Sequence, residues 1–183
     1  MPVSRRVCRA ERHRRLRNAI PHRIPEKYLA LKAIIAVHDK ADTMTMHTGG
    51  CHCGNIRLGF STGLDPSQIE VRACQCSFCV KHGSRAVADP DGRLIISVKD
   101  ETRLHRYRFG LRTADYLLCR ECGVYVAAIT ADDNARAIVI VNALDDQGRF
   151  SQRPIPVDFD AEGKAQRQAR RRARWMPVEV SFE

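Results

Sequence analysis

Seven of the eight cysteines fall into three tight clusters, Cys51-x-Cys53, Cys74-x-Cys76-x-x-Cys79 and Cys119-x-x-Cys122. Short spacings of this kind bring sulfurs together at one point, and the set is most economically read as two zinc sites, one with four ligands and one with three. Structural zinc is enclosed by four protein ligands, whereas catalytic zinc keeps one position for water or substrate. A disulfide framework fits poorly, because the clustered set is odd in number and Cys8 sits far away in a basic stretch. Pairing within Cys-x-Cys would also strain a bond of narrow geometry. Thiolate ligands imply a reducing compartment, here the cytoplasm, because oxidation removes the donors.

The chain carries a formal net charge of +10 that is unevenly spread. Residues 1–43 hold eleven Lys and Arg against four Asp and Glu, and the remaining 140 residues hold twenty against seventeen. The high pI therefore belongs mostly to the leader and argues little for nucleic-acid binding by the rest. The run from Tyr28 to Val37 is interrupted by Lys32 and is far short of the roughly 20 apolar residues that span a bilayer. No membrane association follows from it. An Arg-rich transit segment, a basic arm for a polyanion, and a disordered or non-native extension with Met44 or Met46 opening the domain are three readings of residues 1–43. The domain boundary is expected there, giving a leader over 1–43 and a zinc-binding domain over 44–183. A domain of that size buries roughly two-thirds of its unfolded surface, so zinc ties loops together rather than replacing the core.

From residue 51 the pattern is mostly β. Ile56, Leu58 and Phe60 alternate with Arg57 and Gly59, and Ile69, Val71 and Ala73 alternate into Cys74. Asp89-Pro90-Asp91-Gly92 signals a turn, with a strand over 94–98 after it. Further strands are expected over 104–109, 116–119, 124–129 and 137–141. A helix is expected only near the end, with Asp160 capping residues 161–174 and Gly163 weakening it.

The cysteines lie at strand ends, with 74–79 in the loop after the second strand. Cys119-Arg120-Glu121-Cys122-Gly123 reads as a zinc-knuckle turn, and Gly54 follows Cys53 in the same way. Cys51, Cys53, Cys119 and Cys122 are accordingly paired in a closed site, although spacing leaves other pairings open.

Gly49-Gly50-Cys51-His52-Cys53-Gly54, then Cys74-Gln75-Cys76-Ser77-Phe78-Cys79-Val80-Lys81, then Cys119-Arg120-Glu121-Cys122-Gly123 resemble the glutathione-dependent formaldehyde-activating enzyme family, which includes proteins similar to centromere protein V. The resemblance covers about residues 47–145. It implies an all-β, Mss4-like zinc-binding fold, a structural zinc on Cys51, Cys53, Cys119 and Cys122, and a second zinc on Cys74, Cys76 and Cys79. It also implies a carbon–sulfur lyase that condenses glutathione with formaldehyde reversibly to S-hydroxymethylglutathione. The alternative is a non-catalytic zinc module for a protein or nucleic-acid partner, which a second site closed by His82 would favour.

A thiol of ordinary pKa near 8.5 is mostly protonated at neutral pH, and coordination at an open zinc position would deprotonate it. Three thiolates already make that zinc a weak Lewis acid, so a separate proton carrier is needed. His82, three residues after Cys79, is the candidate in sequence, with an exposed histidine or a fourth ligand as its rival roles. His52, between two ligands, is expected to point away from them as a surface or packing group. Arg103, Arg106, Arg108 and Arg112 read as a solvated strand face, and Arg170, Arg171, Arg172 and Arg174 before Trp175 as a solvated helix face. With 6% aromatic residues, no stacking platform for nucleic acid is expected.

Overall fold

The computed structural model describes residues 44–183. The expectations for residues 1–43, including the domain boundary and Cys8, fall on residues outside that range. Among the described residues there are eleven strands and two α-helices, so the mostly β, Mss4-like reading holds, with a short C-terminal helix.

The first four-stranded section orders as β1 (Thr45–Gly50), β2 (Ile56–Thr62), β5 (Arg93–Val98) and β11 (Met176–Phe182). The inward positions of β2 and β5, namely Ile56, Leu58, Phe60, Leu94, Ile96 and Val98, are buried, as period-2 alternation requires. A second section is the meander β6 (Leu104–Tyr107), β7 (Ala114–Cys119), β8 (Tyr125–Thr130) and β9 (Arg136–Ile140). Strand β8 is buried along its whole length, which is why its apolar run shows no alternation. Beyond β9 lie β4 (Ala86–Val87), β3 (Arg72–Cys74) and β10 (Ile155–Val157).

One strand joins the two sections. Met176 and Pro177 pair antiparallel with Ala137 and Arg136 of β9, after which Val178–Phe182 pairs in parallel with β5. Strands β1, β4, β10 and β11 carried no clear sequence signal, since each is short, polar or interrupted by proline and is held by its neighbour's unpaired edge.

Two local expectations need correction. Residues 74–79 are not all loop, because α1 (Ser77–Lys81) starts immediately after Cys76. The C-terminal helix α2 (Lys164–Arg174) is not capped by Asp160; Gly163 occupies the N-cap, and its N–H is bonded to Gln166 Oε1 at 3.1 Å. Gly163 therefore begins the helix instead of weakening its interior. No helix among the described residues is long and apolar enough to cross a membrane.

Candidate metal centres and the adjoining cavity

The first centre is built from two turns of similar design. In the β1–β2 turn, Cys51 N donates to Ile56 O at 2.9 Å and Gly54 N to Cys51 O at 3.0 Å. In the β7–β8 turn, Cys119 N donates to Val124 O at 3.0 Å and Gly123 N to Cys119 O at 2.9 Å. Gly54 and Gly123 have φ of 75° and 73°, a left-handed conformation that side chains resist. Each glycine folds its chain back so that both cysteines of the turn face the same point.

The donor atoms of Cys51, Cys53, Cys119 and Cys122 all lie within 4.8 Å of one another. Cys51 Sγ is 3.6 Å from Cys53 Sγ, which is 3.4 Å from Cys119 Sγ. Four sulfurs about 2.3 Å from a tetrahedral zinc would be about 3.8 Å apart, so the set is close to the size that zinc requires. Cys51 and Cys119 are buried against the main core, whereas Cys53 is exposed. His52 is exposed, the surface alternative of the two expected.

The second group comprises Cys74 at the end of β3, Cys76 at the N-cap of α1, and Cys79 within it, with donor atoms again within 4.8 Å. Gln75 N donates to Val157 O at 2.9 Å, fixing this turn to β10. Cys79 is buried; Cys74 and Cys76 are half-buried. His82 does not join the group. It is the C-cap of α1, exposed, with its ring 4.5 Å from Phe78 and 5.6 Å from Tyr125.

The thiols of each set restrain one another's ionisation. The hydrogen bond with Cys79 pulls Cys74 down to about 6, and the same bond, helped by burial, drives Cys79 far upward. Burial raises Cys76. In the four-sulfur set burial pushes Cys119 up to about 12 and raises Cys51. At Cys122 burial also pushes upward, but the Val124 and Cys53 N–H groups and neighbouring thiols outweigh it and bring it down to about 6. Sulfurs this close ionise together only when a cation shares the site, which is the behaviour of a soft-metal donor set. Both groups therefore fit zinc.

The two differ in what surrounds them. The trio borders a cavity of about 370 Å³ whose walls include Cys74, Cys76, Phe109, Tyr116, Arg167 and Arg171. Beneath it, a smaller apolar space of about 60 Å³ touches Cys74, Cys79, Tyr116 and Tyr125. Burial pushes Tyr116 up to about 12 and raises Tyr125 further, so both phenols keep their protons at neutral pH. The Tyr125 hydroxyl is buried without a hydrogen-bond partner among the described residues.

Several of these groups were missed or misplaced in the sequence. Phe78, Tyr107, Phe109, Tyr116 and Tyr125 form one cluster, with Phe78 ring centroids 5.1–5.4 Å from the other four. The cluster is gathered from α1 and three segments of the meander, and of its rings Tyr107 is exposed, Tyr125 buried and the others half-buried. The C-terminal arginines are likewise not a uniform solvated face. Arg171 is 5% exposed and Arg170 half-buried over the Phe159 ring, while Arg172 and Arg174 are exposed. The spacing of Arg167, Arg170 and Arg171 at i, i+3 and i+4 was the available signal, since it puts them on one helix face. Arg103, Arg106, Arg108 and Arg112 are exposed as expected, and Arg106 and Arg108 converge on Asp115.

Fold and donor groups together define a mostly β protein with two cysteine sets able to hold metal, one tied into the core and one opening on a cavity. The chain belongs to the glutathione-dependent formaldehyde-activating enzyme family, whose sequence model matches residues 46–156. It is also similar to the crystal structure of a Rhodobacter sphaeroides protein, a Northeast Structural Genomics target, at 22% identity. That similarity covers 74% of this chain and 99% of the other, with a TM-score of 0.40.

Proposed function

We propose that this protein is a zinc-dependent, carbon–sulfur lyase-type enzyme acting on an adduct of a thiol and an aldehyde, such as S-hydroxymethylglutathione. The observation that carries the proposal is the asymmetry of the two sulfur sets. Cys51, Cys53, Cys119 and Cys122 supply four donors at the core, whereas Cys74, Cys76 and Cys79 supply three beside a cavity. Zinc held by the trio would supply a centre at which the substrate sulfur is bound as thiolate. With His82 outside the trio, the feature that would favour a closed, non-catalytic module is missing.

The chain's own residues handle orientation, water and protons. Phe109 and Tyr116 wall the cavity and keep water from the reacting carbon. Tyr116, protonated and on the cavity wall, can donate a hydrogen bond to the oxygen of the adduct as the carbon–sulfur bond forms or breaks. His82, exposed at the C-cap of α1 three residues after Cys79, is the group that exchanges the proton with solvent in this proposal. Formaldehyde and glutathione are the reactants that the family description supplies, and the reducing compartment suited to free thiols is the cytoplasm.

The test compares the equilibration of formaldehyde, glutathione and their adduct with wild-type protein, with Cys76→Ser and with buffer alone. Acceleration by wild type that Cys76→Ser abolishes, while the variant retains its circular dichroism, is the expected result. Equal rates in all three samples, across several thiols and aldehydes, would leave a binding module as the better account.

A further inference from the structure

Arg171 is the most unusual charged group near the trio. Its guanidinium is 5% exposed and lines the 370 Å³ cavity, yet it has no ion pair with a carboxylate among the described residues. Its bonds are a donation from Nη1 to the Thr113 hydroxyl at 2.6 Å and stacking 4.8 Å over Trp175. Its Nε is buried without an acceptor. A buried cation in this state is costly unless a counter-ion arrives.

Its neighbours on the same helix face are partly neutralised. Arg170 makes two bonds to Glu162, at 2.7 and 2.9 Å, and Arg167 lies 3.5 Å from the same carboxylate while donating to Phe159 O. Asp160 also lines the cavity. Two carboxylates thus face three guanidiniums, and the surplus positive charge falls on Arg171. These arginines lie beyond residue 156, where the family match ends.

We infer that the cavity binds a thiol carrying a carboxylate, with Arg171 and Arg167 receiving the carboxylate while the sulfur reaches the Cys74–Cys76–Cys79 group. The inference rests on the trio being an open metal site and specifies the substrate class for it. Because the arginines and sulfurs wall one space of about 370 Å³, a single ligand can present its sulfur to the trio and its carboxylate to the arginines. Guanidinium pairs with carboxylate in two parallel bonds, which supplies both affinity and orientation.

The test uses full-length protein loaded with cobalt, whose absorption reports a thiol entering the metal's coordination shell. Affinities are compared for 3-mercaptopropionate and for its uncharged methyl ester, and the ratio is taken within each protein so that metal occupancy cancels. Wild type should prefer the acid about tenfold or more. The ratio should fall towards one in Arg171→Met and drop severalfold in Arg167→Gln, whose half-exposed position makes it the variant to rely on if Arg171→Met does not fold. A ratio near one in wild type, or one that Arg167→Gln and Arg171→Met leave unchanged, overturns the inference while leaving the open site standing. If both thiols weaken alike in the variants, Arg171 merely balances the charge of the sulfur set, and the inference is again wrong. Failure of either thiol to alter the wild-type spectrum removes the open site itself, and this inference with it.

Discussion

Removing one sulfur from each set should destabilise the protein by different amounts, and the difference can be worked from chain connectivity. Cys53 and Cys119 are 66 residues apart, so a metal on the four-sulfur set closes a long loop between the β1–β2 and β7–β8 turns. The cross-link relation between loop length and unfolded-chain entropy gives about 4 kcal/mol for a loop of that length. Cys74 and Cys79 are five positions apart, for which the same relation gives about 2 kcal/mol. Burial acts in the same direction, since Cys119 is 1% exposed within the core and Cys76 is half-buried. For a domain of this size each kcal/mol moves the melting temperature by about 2–4 °C. Cys119→Ser should therefore lower it by about 8–16 °C and Cys76→Ser by about 4–8 °C, each with loss of one zinc per chain. Calorimetry measures the transition, metal analysis the stoichiometry, and fluorescence of Trp175, the single tryptophan and buried, reports the core independently. Equal drops, or a larger one for Cys76→Ser, would refute the assignment of one set to the fold and the other to the cavity.

His82→Ala should slow adduct equilibration by about 10²-fold with zinc content unchanged, read from the rate and from metal analysis. Glu162 is held below its ordinary range, chiefly by its bonds from Arg170, so it stabilises the fold above the unfolded carboxyl value and that contribution is lost as pH falls through the lower folded value. Denaturant melts of Glu162→Gln should accordingly show less loss of stability on acidification below about pH 4.5 than wild type does. Gly49→Ala places a Cβ 2.2 Å from Ala143 O and 2.7 Å from Leu144 Cα. Both obstacles are backbone, so β1 must move, at a cost of about 1–3 kcal/mol visible as a lower denaturant midpoint.

The two cysteine groups were legible because their spacing is local. Cys-x-Cys-Gly and Cys-x-x-Cys-Gly fix how each turn folds, and Gly54 and Gly123 adopt the left-handed backbone that this requires. The strands with alternating apolar residues, such as β2 and β5, were legible for the same reason: a half-buried strand writes its two faces into every second residue.

What only the tertiary structure decided are encounters between distant segments. Strand β11 carries no strong pattern because it exchanges one partner for another along its length, from β9 to β5. The aromatic cluster takes Phe78 from α1 and its other rings from the meander, and no sequence window contains both. Arg171 shares its local composition with Arg172, yet one is buried and the other exposed, because α2 lays a single face against Thr113 and the cavity. Local spacing determines how a turn or strand is shaped, whereas the environment of a side chain depends on which surface packs over it, and that is settled only when the chain closes on itself.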